Sequence, residues 1–345
     1  MKYYAGLDVS LKETSVCICD EGGEVMREGK VSSCPEAIVA FLQETGLRFE
    51  RIGLEAGQLA PWLWRGLREA GLPALCIETR RMKAFASASP VKTDRKDARL
   101  IAEAMRVGFY RAVHVKSRES QELRLLLRNR WTLQHKRHDI ENEVRGTLKG
   151  FGIKLGRVGK GKFGARVRGC LAAEAGRLLD LIEPMLGARE ALLFHERDLD
   201  RRVVSEARKH EACQNFMTTP GIGPVSALGY MTGVDDPTRF AKSRNVGAHF
   251  GLTSRLYQSG EIERSGRISK CGDAMVRSLL YEAALSLLTR SKKWCALKAW
   301  GLRVAKRRGM KRAVVAVARR LAVILHRMWL DGTAFQWGQS EQTAA

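Results

Sequence analysis

The chain has 345 residues, 45% hydrophobic with only 8 prolines, which excludes extended disorder and allows two or three domains with real cores. Its 60 Lys and Arg against 37 Asp and Glu leave a net charge of +23, clustered along the chain, which points to a polyanionic partner. No apolar run reaches membrane-spanning length, nothing at the N-terminus resembles a signal peptide, and the eight cysteines form no C-x-x-C pair. These features predict free thiols, no structural zinc, no membrane partner and a reducing cytoplasm.

Residues 1–115 alternate strand and helix. The runs 3–9 and 15–19 read as strands, and the turn Asp20-Glu21-Gly22-Gly23 leads to a return strand from Glu24, a hairpin signal. A helix over 35–45, a strand over 51–55, a helix over 61–70, a strand over 74–78 and a helix from near Thr93 follow. Three antiparallel strands and then α-β-α-β-α is the RNase H-like order of an α/β domain, with Asp8 on its central strand.

Residues 116–210 read as a helical, coiled-coil-like middle. Leu123, Leu127, Ile140, Val144 and Leu148 fall at helical spacing in 120–150. Leu171, Ala175, Leu178, Ile182, Met185, Leu192, Leu199 and Val203 form a four-three stripe that Arg189 and Glu196 interrupt and Pro184 is expected to kink. Between them, 150–169 is rich in Gly, Lys and Arg and reads as a flexible basic loop.

Residues 211–330 read as mostly α. In TTPGIGPVSALGY, Gly221 and Gly223 form a turn feeding a helix, either a phosphate-binding helix end or a bare capping turn. The segment after it reads as an exposed loop or hairpin, with Ser254, Ser259, Ser265 and Ser269 among Arg255, Arg267 and Lys270, before a helix from Asp273. From 283 to 330 there is no acidic residue, and Arg307, Arg308 and Arg312 belong to a helical edge suited to phosphates. Residues 331–345 read as a tail.

Four acids stand out: Asp8 and Glu55 at strand ends, and Asp94 and Asp97 opening a helix, where a spacing of three puts them on one face. Such a set can hold two divalent metals that clamp the oxygens of a phosphodiester. Taken singly, Asp94 could cap its helix with Asp97 reaching back from the first turn, and Asp8 could be a turn residue at a strand end. Lys92, Arg95 and Lys96 around the aspartates fit substrate phosphates better than they fit a cap.

YAGLDVS, GLEAG, KTDRKDARL, TPGIG, and QSG with GRISKCGD occur in the order found in the IS-one-ten family of insertion-sequence transposases, which this chain resembles over nearly its whole length. The resemblance implies an N-terminal domain like RuvC-type resolvases and a C-terminal transposase domain with a nucleophilic serine. It implies a DEDD magnesium site at Asp8, Glu55, Asp94 and Asp97, with two Mg2+ expected. It also implies a bridge RNA that pairs with target and donor DNA, dimers assembling to tetramers, and a phosphoserine intermediate. The serine falls on Ser259; many relatives have two adjacent serines there, whereas this chain has Gln258 then Ser259. Three rivals remain: a hydrolytic junction resolvase or nuclease, an actin-like sugar kinase suggested by GLDVS, and a non-catalytic nucleic-acid scaffold. The missing second glycine-rich phosphate loop weighs against the kinase, and the acids weigh against the scaffold.

Overall fold

Five strands form in the first eighty residues: β1 (Tyr3–Val9), β2 (Glu13–Cys19), β3 (Val25–Ser32), β4 (Phe49–Glu55) and β5 (Ala74–Ile77). They order as β3-β2-β1-β4-β5, with β1 antiparallel to β2 and parallel to β4. This is the RNase H-like order that the sequence predicts. The computed structural model describes residues 1–80, 82, 93–172, 176–259 and 262–337, in two compact units, Met1–Lys116 and Ser117–Ala345.

Period-two alternation divides the sheet between two faces. Ala5, Leu7, Val16, Ile18, Ile52 and Leu54 pack against Ile38 and Leu42 of α1 (Pro35–Gln43) and Leu63 and Leu67 of α2 (Ala60–Glu69). Tyr4, Cys17, Cys19 and Ile77 face α3 (Asp94–Val107) and its Ala98, Ile101, Ala102 and Met105. Cys17 and Cys19 are core residues, and burial pushes the Cys17 thiol up to about 12, so it stays protonated.

Two glycines let α3 come this close. Gly6 and Gly53 pair across the β1–β4 ladder. A Cβ on Gly6 would fall 2.2 Å from the Ala98 carbonyl oxygen and 2.3 Å from the Ala102 nitrogen. One on Gly53 would fall 2.8 Å from Met105 Cγ and 2.9 Å from Ile101 Cγ2. The helix backbone therefore sits directly on the strand backbone at Gly6.

In the second unit, α4 (Arg118–Gly150) and α6 (Arg177–Lys209), each of 33 residues, pack together. Arg130 pairs with Asp200, Arg137 with Glu196 and Arg189 with Glu141, so the helices run antiparallel. The stripe expected on α6 holds in part, since Ile182 and Val203 are buried. Leu186 and Leu193 are buried, while Met185, Leu192 and Leu199 are only half-buried. Leu171 lies on a separate helix and Ala175 outside the described residues. Arg189 and Glu196, which interrupt the expected stripe, belong to the buried seam with 1% and 0% exposure. Both find partners on α4, so the seam is closed by charge as well as by apolar packing. The helix runs on through Pro184.

The expected basic loop over 150–169 is in part helical. α5 (Phe163–Leu171) buries Phe163, Val167 and Leu171 with Val144, Leu148, Ile182 and Leu186. A spacing of four between those apolar residues drives it, hidden in sequence by the surrounding Gly, Lys and Arg.

The rest of the unit holds α7 (Glu211–Met217), α8 (Pro224–Val234), α9 (Arg244–His249), the hairpin β6 (Ser254–Ser259) and β7 (Ile262–Ile268), α10 (Ala274–Thr289), α11 (Ala296–Arg308) and α12 (Met310–Asp331). Leu123, Leu127, Val203 and Ala207 of the long helices join Leu228, Leu280, Leu287, Val317 and Leu321 in one cluster. The helical middle expected over 116–210 thus shares a core with 211–330. Among the described residues no helix is long and apolar enough to cross a membrane.

Gly6→Ala should destabilise the protein by about 3 kcal/mol or more, because helix backbone cannot move aside, while Gly53→Ala should cost about 1 kcal/mol because side chains can yield. Urea unfolding of both variants measures the difference; equal losses would show that the Gly6 contact does not seat the helix.

Candidate active site

Asp8 and Glu55 leave the same end of adjacent parallel strands, since Leu7 pairs with Leu54 just before them. Both are half-buried. The first turn of α3 carries Asp94 and Asp97. Capping of α3 falls to Thr93, whose side chain accepts from the Lys96 N–H at 3.3 Å, so the cap reading of Asp94 does not hold. Asp97 directly precedes Ala98, whose carbonyl lies over Gly6, and this brings the start of α3 to β1 near Asp8.

Asp94 pairs with a lysine. It is exposed, and Lys30 Nζ on β3 stands 3.4 Å from its Oδ2. Lys30 pairs with Ser15 and Ser15 with Asp8, so the lysine that holds Asp94 lies in the cross-strand row of Asp8, two strands away or about 10 Å in strand spacing. Among the described residues no three His, Cys, Asp or Glu side chains form a group that could hold a metal ion.

Ser259 ends β6, exposed at the tip of the hairpin, where it pairs with Ile262. Gly260 beside it lies outside the described residues, as does Lys92. Arg255, Arg264, Arg267 and Lys270 are exposed on or beside the hairpin, and Arg255 Nη2 donates to the Ser269 carbonyl at 3.3 Å.

Gly221 has φ +89°, and a Cβ there would fall 2.4 Å from the Ala283 carbonyl of α10, so packing accounts for this glycine. Gly223 is the half-exposed N-cap of α8. The basic edge of 306–312 is a corner: Gly309, at φ +82°, separates Arg307 and Arg308 at the end of α11 from Arg312 in the first turn of α12. All three arginines are exposed. Cations at the end of α11 suit its dipole, but Lys311 and Arg312 at the start of α12 oppose theirs, so helix stability does not explain them.

The pattern of the DEDD transposase domain of IS110 elements matches residues 5–153, a span that contains Asp8, Glu55, Asp94 and Asp97. The pattern described as transposase IS116/IS110/IS902 family matches residues 213–299, which contain Ser259. A transposase for insertion sequence element IS1111A from Coxiella burnetii is 30% identical over 325 residues, covering 93% of this chain and 87% of that protein. The chain belongs to the IS116/IS110/IS902 family of transposases.

A probable family 20 transposase of Pseudomonas aeruginosa is 30% identical over 295 residues, covering 83% of this chain and 86% of its own. A transposase for insertion sequence element IS1328 of Yersinia enterocolitica is 26% identical over 309 residues, covering 88% of this chain and 87% of its own. The protein is thus an insertion-sequence transposase, an enzyme that cuts and rejoins DNA.

The transposase holds α3 by a residue that sequence reading passed over. Glu28 of β3 has an 11% exposed side chain, accepts from Arg95 Nε at 2.6 Å, and is gripped by Arg99 at both oxygens. Arg95, expected on substrate phosphate, is engaged here, while Lys96 is exposed. The available signal was the strand run VMREGKVS, where Glu28 and Lys30 share a face opposite a helix rich in the complementary charges.

Hydrogen bonding from Arg99, and then from Arg95, outweighs burial and holds the Glu28 carboxyl down at about 2 against an ordinary 4.5. The folded form binds this proton less readily than the unfolded form, so the stabilisation is complete above the ordinary value. It is lost as pH falls from about 4.5 towards 2. Arg99→Gln should therefore lower the melting temperature at pH 6 and lessen its further fall by pH 3; an undiminished fall would show that the acid sensitivity lies elsewhere.

Proposed function

We propose that this transposase is an RNA-guided DNA recombinase with a magnesium site at Asp8, Glu55, Asp94 and Asp97 and a nucleophile at Ser259. One observation carries the reading: an RNase H-like sheet sets Asp8 and Glu55 at neighbouring strand ends, while an exposed hairpin of the other unit presents a serine among arginines. In this reading 1–115 hold the metals, 116–210 position subunits, and 211–330 deliver the serine. The resemblance to the family supports a bridge RNA that pairs with target and donor DNA. It also supports dimers that pair into tetramers, the acids of one subunit working with the serine of another.

The donor set suits the ion. All four side chains are carboxylates, the hard oxygen ligands that Mg2+ takes. Bound Mg2+ would supply electrostatic stabilisation of the negative charge that builds on the phosphoryl oxygens. Completing the set requires Asp94 to leave Lys30 and turn towards Asp8.

The chain's own steps begin with Ser259. Its hydroxyl is a poor nucleophile until a base takes the proton. Its exposure at the hairpin tip leaves it open to a DNA backbone, and Arg255, Arg264 and Arg267 are placed to hold neighbouring phosphates. Serine Oγ bonds to phosphorus, the bond from phosphorus to one deoxyribose oxygen breaks, and that oxygen leaves as a hydroxyl. A hydroxyl of the partner strand then attacks the phosphoserine, joins the new strands and restores the serine. The ester keeps the bond energy, so exchange needs no ATP.

Asp8→Asn, Glu55→Gln, Asp94→Asn and Asp97→Asn should each abolish strand cleavage with little change in unfolding, and EDTA should do the same to the unaltered protein. Undiminished cleavage by the Asp94→Asn/Asp97→Asn double variant would remove the assignment. With guide RNA, both DNA substrates and magnesium, denatured protein should carry a covalent DNA adduct that mass spectrometry maps to Ser259. Ser259→Ala should bind normally and form none. Cutting that persists in Ser259→Ala would favour a hydrolytic resolvase instead.

Reversing Arg307, Arg308 and Arg312 to Glu should weaken nucleic-acid binding across sequences and reduce the slope of log affinity against log salt by roughly one per lost phosphate contact. An unchanged slope would place the nucleic acid elsewhere.

A further inference from the structure

Between α10 and α11 the chain reads Arg290-Ser291-Lys292-Lys293-Trp294-Cys295. Trp294 is 64% exposed, while its neighbours Cys295 and Leu297 are 3% and 6% exposed and anchor the segment to the core. A large aromatic turned outward beside inward-turning neighbours is unusual for a side chain that is normally well buried. The segment is also fastened. Ser291 Oγ donates to the Lys293 carbonyl at 3.2 Å, and Lys298 Nζ donates to the Ser291 carbonyl at 2.6 Å.

Cations surround the ring. Lys298 Nζ lies 5.6 Å from the centre of Trp294, and Arg290, Lys292 and Lys293 are exposed beside it. No acidic residue occurs anywhere in 283–330. A second aromatic stands close, since Lys293 Nζ lies 5.2 Å from the ring of Trp337. An apolar protein partner would leave these ammonium groups to be desolvated without a counter-charge.

We propose that Trp294 is a stacking platform for an unpaired nucleotide, with Lys292 and Lys293 meeting the flanking phosphates. An aromatic face stacks on any base, whereas a base within a duplex already has both faces covered, so the platform selects single strands. The strand is either RNA or the unpaired part of an opened DNA duplex, and the chemistry is shared. The inference rests on the chain's action on nucleic acid and is independent of the serine chemistry. Binding is measured without magnesium or cleavage, so a missing adduct at Ser259 and a missing platform at Trp294 are separate results.

The test uses the full chain, labelled 12-residue oligo(dT) and oligo(U), and a blunt duplex of mixed sequence. Trp294→Ala should weaken single-strand binding roughly 5- to 100-fold and leave duplex binding within about twofold, with Trp294→Phe retaining most of the affinity. Tighter oligo(U) binding assigns the platform to RNA, tighter oligo(dT) binding to an opened DNA strand, and equal binding to both. Unfolding curves check that both variants fold, as expected for an exposed ring. Unchanged single-strand affinity in Trp294→Ala, or an equal loss on the duplex, would overturn the proposal.

Discussion

Helix α3 rests on backbone rather than on side chains. Where Gly6 faces Ala98 and Ala102, a helix and a strand approach closer than any residue with a Cβ allows. Nearly everything in the first unit that bears on chemistry follows from that seat. It sets the start of α3, and so Asp97, beside the strand that carries Asp8. One turn earlier, Asp94 meets Lys30 of β3. Glu28 then ties the solvent side of the helix to β3 through two arginines. The seat fixes how far the helix stands from the sheet, and the clamp fixes its rotation.

Charge is divided between two tasks. Arg95, Arg99, Arg137, Arg168 and Arg189 are engaged by carboxylates and work within the fold. Arg307, Arg308, Lys311, Arg312, Lys292 and Lys293 are exposed, and no ion pair between described residues includes them. The net charge of +23 therefore does not describe a uniformly positive surface. It describes an N-terminal unit whose helix α3 is held to β3 through Glu28 and Asp94, and an acid-free segment over 283–330 whose cations at 292–293 and 306–312 are exposed.

Much of the first unit was legible because its signals are local. Alternation marks β1 and β2, Gly22-Gly23 marks the turn, and Thr93 with the acids after it marks the start of α3. The positions of Asp8 and Glu55 followed from strand order alone. What stayed hidden depends on partners distant in sequence. Arg95 looks like a phosphate ligand until Glu28 is placed against it from another strand. Arg189 and Glu196 look like breaks in an apolar stripe because a pattern weighs each residue singly. Gly6 reads as one more strand residue, since nothing nearby shows that helix backbone will lie on it. Trp294 drew no attention because its exposure is decided by the burial of Cys295 and Leu297 on either side.

The seam between α4 and α6 carries Arg137, Glu141, Arg189 and Glu196, with Lys160 closing one end. Burial alone would raise the Glu196 carboxyl, yet hydrogen bonds from Arg137 and Lys160 hold it below its ordinary range. Such a quartet adds little to stability compared with apolar residues of the same size, but losing one member strands the others, at roughly 3–5 kcal/mol. The two helices are consequently inherited as a set. A chimera whose α4 lacks Arg137 or Glu141 and which keeps this α6 leaves a carboxylate or a guanidinium without its counterpart in the interior. A crossover before Ser117 keeps the quartet whole, whereas any joint between the two helices puts it at risk.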